Sequence, residues 1–133
     1  MSFADYLENK LLDHVFGNAA YTAPATLYIA ASTATINDDG TGLTEPVGNA
    51  YARVAVTNNA TNFPAASGGA KANGIQITFP EASGSWGTIS HIAIMDASSG
   101  GNVLGKGALA ASKAIAAGDT LYIPVGDLDI TLD

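Results

Sequence analysis

Thr88-Ile89-Ser90-His91-Ile92-Ala93-Ile94-Met95 is followed by the breaker-rich turn Asp96–Gly101 (DASSGG) and then by Val103-Leu104-Gly105-Lys106-Gly107-Ala108-Leu109. Eight residues rich in isoleucine, a glycine-containing turn and a second apolar run predict two antiparallel strands joined as a β-hairpin. Gly105 and Gly107 inside the second run predict a bulge or a close backbone approach rather than a phosphate loop, because the glycines flank a single lysine within a strand pattern.

The same short-strand signal recurs on both sides. Upstream, Ile75-Gln76-Ile77-Thr78-Phe79 alternates apolar and polar and stops at Pro80, and Gly84 and Gly87 flank the single tryptophan, Trp86. Further back, Thr26–Ala31 (TLYIAA) and Tyr51–Thr57 (YARVAVT) are strands. Between them, Ser32–Asn49 is a polar loop long enough to suggest a functional or mobile segment. Residues 58–72 form a second breaker-rich loop. Downstream, Ala110–Ala117 is ambiguous, because alanine favours helix while Lys113–Ile115 fits a strand. Thr120–Val125 is a strand that Pro124 either places on an edge or ends, and Asp127–Leu132 alternates to the end.

The period changes at the start of the chain. Phe3, Leu7, Leu11 and Val15 recur every four residues, with Leu12 and Phe16 widening the stripe, which predicts an amphipathic helix over residues 2–16. Ser2 and Asp5 are placed as a capping pair, and Gly17 as a left-handed C-cap. The apolar face serves either the chain's own core or a partner. The sum is one domain over residues 1–133: an N-terminal amphipathic helix (1–17), then a mainly β, antiparallel sandwich (18–133), jelly-roll-like, of about seven to eight strands.

Composition narrows the function. The chain has 133 residues, enough to bury roughly two-thirds of its unfolded surface. It has no cysteine, which excludes disulfides, zinc thiolates and thiol catalysis. A net charge of −7 with only five scattered basic residues argues against binding nucleic acid, which needs clustered Lys and Arg. No apolar run reaches the ~18 residues of a membrane span, and no signal peptide is visible, so use without export is expected.

The search for catalytic chemistry is negative. His14 and His91 share no ligand spacing, and no nucleophile is paired with a base. Asn37-Asp38-Asp39-Gly40 places its glycine too early for a calcium loop, so an Asx-rich turn is expected. Asp127 and Asp129 share one strand face; two carboxylates at that spacing could hold a cation or serve acid–base work, but with no third group nominated a solvated face is expected. No catalytic, cofactor or metal residue is assigned. Leu7, Leu11, Asp38, Asp39, Tyr51, Phe63 and Trp86 are the candidate contact residues.

Tyr6–Phe16 followed by Thr26–Ala30, Tyr51-Ala52-Arg53-Val54, Trp86–Ile94 and Gly126–Ile130 resemble, in that order, small tailed-phage and prophage virion proteins often labelled tail fibre protein. The resemblance spans the chain, brings no catalytic residue, and implies a virion component made in the bacterial cytoplasm. A single domain of this size has a radius of gyration of roughly 14 Å and no repeat to lengthen it, so a knob or adaptor is expected rather than a shaft. The leading expectation is a capsid decoration or cement protein bound to the major capsid protein in many copies, as a homo-oligomer with a trimer as first guess. The alternative is a tail-fibre or tail-tip component that contacts tail proteins or the host receptor.

Overall fold

The computed structural model describes residues 1–132. In chain order its elements are β1 (Ser2–Phe3), α1 (Asp5–Phe16), β2 (Thr26–Ser32), β3 (Val54–Thr57), β4 (Ala70–Ala72), β5 (Ile77–Thr78), β6 (Gly87–Met95), β7 (Val103–Ile115), β8 (Tyr122–Ile123) and β9 (Asp129–Thr131). The β6–β7 hairpin is the spine of a five-stranded antiparallel sheet of order β1-β7-β6-β2-β3. Its turn is closed by Asp96, whose carboxylate accepts from the Asn102 backbone N–H at 2.7 Å and side-chain amide at 2.8 Å. A Cβ on Gly101 would sit 2.5 Å from that carboxylate, so the turn needs glycine there.

Register sorts the side chains into two faces. Ile29 lies opposite Ile94 and Val54, and Ala31 opposite Ile92. This face joins Phe63, Ile77, Phe79, Trp86, Ile115, Leu121, Ile123 and Leu128 in the main core. On the other face Ala30 lies opposite Ala93 and Tyr28 opposite Met95, packed with Ala4, Val103, Ile36 and Leu43 in a smaller core. Ile36 and Leu43 belong to the loop after β2, so that loop covers the sheet's second face. With both faces buried, the central strands read as continuous apolar runs (YIAAS, HIAIM) instead of a clean alternation. Each fully buried large aliphatic contributes roughly 1.5–3 kcal/mol.

The layer opposite the sheet's main-core face is two short antiparallel ribbons, β4·β9 and β5·β8, rather than one continuous second sheet. The whole is a mainly β sandwich with one N-terminal helix, as the sequence predicts. Asn73 ties the ribbons together: its amide donates to the carbonyls of Ile75 (2.8 Å) and Pro124 (2.9 Å), and its Oδ1 accepts from the Leu128 N–H (2.9 Å).

Several boundaries differ from the sequence reading. Ser2 and Phe3 are not helical: they pair with Lys106 and Gly105 at the edge of β7, and α1 starts at Asp5 after Ala4, with no side-chain cap. The Asp5 N–H is satisfied by the Asp38 carbonyl at 2.8 Å instead. Gly17 is not left-handed (φ −147°). Asn18 takes that conformation (φ 54°), and Gly17 is required because a Cβ would lie 2.9 Å from the Asp13 carbonyl oxygen. The alanine-rich segment is strand through Ile115, because pairing with Gly87–Ile89 overrides alanine's helical preference. Residues 70–72, inside a segment read as loop, form β4. The strand expected from Tyr51 starts only at Val54, after Asn49 and Ala50 turn the chain with positive φ.

Candidate functional site

α1 is where the fold leaves apolar surface without cover. Its spacing puts Leu7, Leu11 and His14 on one side and Leu12, Val15 and Phe16 on another. The first group faces β7 and lines an apolar groove of about 380 Å³, completed by Phe3, Leu27, Ile94, Leu104 and Ile130, with Tyr21, Pro24 and Asn58 at its rim. The second group faces solvent: Leu12 is 56%, Val15 63% and Phe16 83% exposed. No residue of α1 is buried. The linker after the helix is held by the Tyr21 N–H, which donates to His14 Nδ1 at 3.2 Å. The Tyr21 hydroxyl is pushed up from its ordinary pKa, chiefly by burial and further by neighbouring Tyr6 and Asp96.

Of the expected contact residues, Leu7 and Leu11 are half-buried walls of this groove. Asp38 is not part of the groove: its carboxylate pairs with Lys106 and its carbonyl accepts from the Asp5 N–H at the start of α1. Asp39 forms the Asx turn that the sequence suggests. Its carboxylate accepts from the Thr41 hydroxyl at 2.6 Å and the Thr41 N–H at 2.9 Å, and these bonds hold its pKa below the usual range.

Phe63 and Trp86 are corrected by their burial: they are 4% and 3% exposed and belong to the core, so neither presents a surface to a partner. Tyr51 joins them from its half-buried position. Its ring stands edge-on to Trp86 at 5.2 Å and stacks on Phe79 at 6.4 Å, and the Trp86 indole N–H donates to the Asn49 carbonyl at 2.8 Å.

Tyr51 also anchors the long loop that the sequence marked as functional or mobile. Its hydroxyl accepts from the Ala31 N–H at 3.0 Å and donates to Glu45 at 2.7 Å. Burial, reinforced by Glu45, pushes that hydroxyl far up from its ordinary pKa. Arg53 grips Glu45 through two nitrogens, at 2.9 and 2.8 Å, and donates to the Ala97 and Gly100 carbonyls in the β6–β7 turn. Burial alone would raise the Glu45 pKa; the hydrogen bonds from Arg53 and Tyr51 outweigh it and hold the carboxyl below the usual range. Ser32 Oγ accepts from the N–H groups of Ala34 and Thr44, closing the loop's base. The loop is therefore a fixed cover of the sheet.

The two histidines are far apart in their bonding: His91 Nδ1 meets the Ser90 hydroxyl at 2.8 Å, on the sheet. Among the described residues no three His, Asp or Glu side chains gather in a group able to hold a metal ion, and no helix is long and apolar enough to cross a membrane. The groove's helix wall was legible as the Leu7–Leu11 repeat. Its other residues were not, because Tyr21, Leu27, Ile94 and Ile130 meet only through the sheet. The uncovered patch had one signal, an apolar stripe wider than a single buried face requires.

No curated protein matches the chain. Residues 2–131, nearly its whole length, match a family of phage fibre proteins. The sequence resemblance and this match agree, and the chain belongs to the family described as podophage GP4 fiber I protein gp80.

Proposed function

We propose that the protein is a globular component of the phage fibre that works by docking rather than by catalysis, and that the outer face of α1 seats it on another virion protein. One observation carries this reading: a twelve-residue helix with no buried residue presents Leu12, Val15 and Phe16 to solvent. Helices this short are marginal alone and owe their stability to packing of an apolar face. An exposed cluster of large apolar residues is the usual mark of an interaction site. The groove under Leu7 and Leu11 lets the helix adjust as it is received.

The leading expectation from the sequence, a head-decoration protein on the major capsid protein, drew on compactness and low charge density. A fibre component uses both equally, and the family description favours the fibre. The fold supports a knob or adaptor: the described residues hold no repeat and no coiled coil that could form a shaft.

The test is incorporation. Leu12→Asp and Phe16→Asp variants are supplied to a phage lacking the gene, and purified particles are quantified by mass spectrometry. Because both side chains are exposed, the free variants should melt within about 0.5 kcal/mol of the wild type, yet be missing from particles. Wild-type incorporation of both would overturn the docking role of α1.

A further inference from the structure

Of the nine asparagines in the chain, Asn73 alone is followed by glycine, and that neighbour sets its amide apart in reactivity. Asparagine is among the thermolabile side chains. Glycine has no Cβ, so its backbone nitrogen is open to the side-chain carbonyl carbon of the residue before it. The fold demands both residues for unrelated reasons. Asn73 supplies the two donors and the acceptor that join the ribbons. Gly74 is required because a Cβ there would lie 2.3 Å from the Thr61 carbonyl oxygen and 2.9 Å from Pro64 Cδ. The same contacts hold the pair inert. Ring closure needs the Gly74 nitrogen to meet Asn73 Cγ, so the peptide plane between them and the side chain must turn toward each other. That plane is clamped at both ends: the Asn73 carbonyl accepts from the Gly126 N–H at 3.0 Å, and the Gly74 N–H donates to the Asn62 carbonyl at 2.7 Å. Three further bonds pin the side chain, and its burial at 2% exposure keeps water and base away.

We propose that Asn73 is a modification site gated by the fold: it stays intact while the ribbons are joined and deamidates when they part. In the opened chain a solvent base removes the Gly74 N–H proton and the nitrogen bonds to Asn73 Cγ. The side-chain nitrogen takes a proton from water and leaves as ammonia. Water then adds to one of the two carbonyls of the resulting succinimide, and the C–N bond at that carbonyl breaks. The product is aspartate or isoaspartate, according to which bond is cut. Neither restores the joint. Aspartate sets a carboxylate against the Ile75 and Pro124 carbonyls, where the amide donated. Isoaspartate also adds a carbon to the backbone immediately after Ala72, which β4 pairs with Asp129. Local openings of this kind occur in native proteins at less than the cost of global unfolding. Here the chemistry makes such an opening irreversible, so a copy that has once opened is marked and weakened. The site is independent of which virion protein receives α1.

The test incubates the whole chain at mildly alkaline pH, folded in buffer or unfolded in urea, and then digests it with trypsin. Cleavage after Lys71 and Lys106 isolates residues 72–106, which contain Asn73 and, as an internal control, Asn102 before Val103. In urea, mass spectrometry should show amide-to-acid conversion at Asn73 well ahead of Asn102, with isoaspartate among the products. In buffer the conversion should be at least about a hundredfold slower, which is ~2.8 kcal/mol of opening at ~1.4 kcal/mol per tenfold. The deamidated chain, returned to buffer, should unfold at a lower urea concentration than the untreated chain. Gly74→Ala is compared in urea, where its ability to fold does not matter, and should lose most of the conversion. Equal rates in buffer and in urea overturn the gating by the fold. Conversion at Asn102 as fast as at Asn73, or an undiminished rate in Gly74→Ala, overturns the site itself. An unchanged urea midpoint after deamidation overturns the irreversible loss of the joint.

Discussion

Replacing Asn73 with alanine isolates the joint between the two ribbons. The side chain is 2% exposed and satisfies three backbone groups: the carbonyls of Ile75 and Pro124 and the N–H of Leu128. Each buried group left without a partner costs about 1–3 kcal/mol. Water reaches some of the vacated space, so the lower end applies, and the three together lose about 3 kcal/mol. A domain of this size has ~5–15 kcal/mol in total, so the variant folds. Its melting point should fall by roughly 10 °C, given ~2–8 °C per kcal/mol across small domains. In urea the midpoint should shift with an unchanged slope.

Asn73→Asp sharpens the test, because a carboxylate faces two carbonyl oxygens and cannot donate. Its folded pKa is then raised above the unfolded value. The deficit therefore opens as pH rises through the raised value and narrows toward acid. A loss below about 1 kcal/mol for the alanine variant, or an aspartate deficit that does not change with pH, would refute the reasoning.

Other outcomes follow from the loop and the aromatic cluster. Glu45 has a lowered folded pKa, so its ion pair with Arg53 adds stability that is complete above the ordinary carboxylate range and is lost as pH falls through the lower folded value. A melting-point profile from about pH 7 to pH 3 should converge with that of Glu45→Gln at the acid end, and parallel profiles would contradict it. Gly42→Ala should destabilise the loop strongly, because φ is +88° and the new Cβ would lie 2.3 Å from the Thr35 carbonyl oxygen. Proteolysis confined to residues 33–50 is the readout. Trp86→Phe should lose about 0.5–1.5 kcal/mol, since the Asn49 carbonyl loses its indole donor but keeps the Ser83 N–H. Urea unfolding measures this, and an unchanged midpoint would exclude a structural role for that bond.

The fold was legible where periodicity is local. The β6–β7 hairpin, β2 and most of α1 follow from runs whose spacing admits one reading. The errors share a cause, contact between residues distant in sequence. Phe3 fits the four-residue stripe of α1, but its pairing with Gly105 takes it out of the helix. Phe63 and Trp86 sit among glycine, proline and asparagine, which locally mean loop. Their burial is decided by core partners from several strands, with Tyr51 and Phe79 beside Trp86. Polar residues such as Ser32, Asp39 and Glu45 made the long loop look unfixed, yet their hydrogen bonds are what fix it. The candidate surface was half legible: Leu7 and Leu11 were visible, but the exposure of Leu12, Val15 and Phe16 depends on β7 receiving only one side of the helix.

The most direct measurement is a cryo-electron microscopy map of the virion that carries this chain. The account predicts density for the sandwich within the fibre assembly, with the Leu12–Phe16 end of α1 buried against another virion protein. Density for the fold on the capsid lattice, or a fibre-bound copy with that end of α1 in solvent, would contradict it.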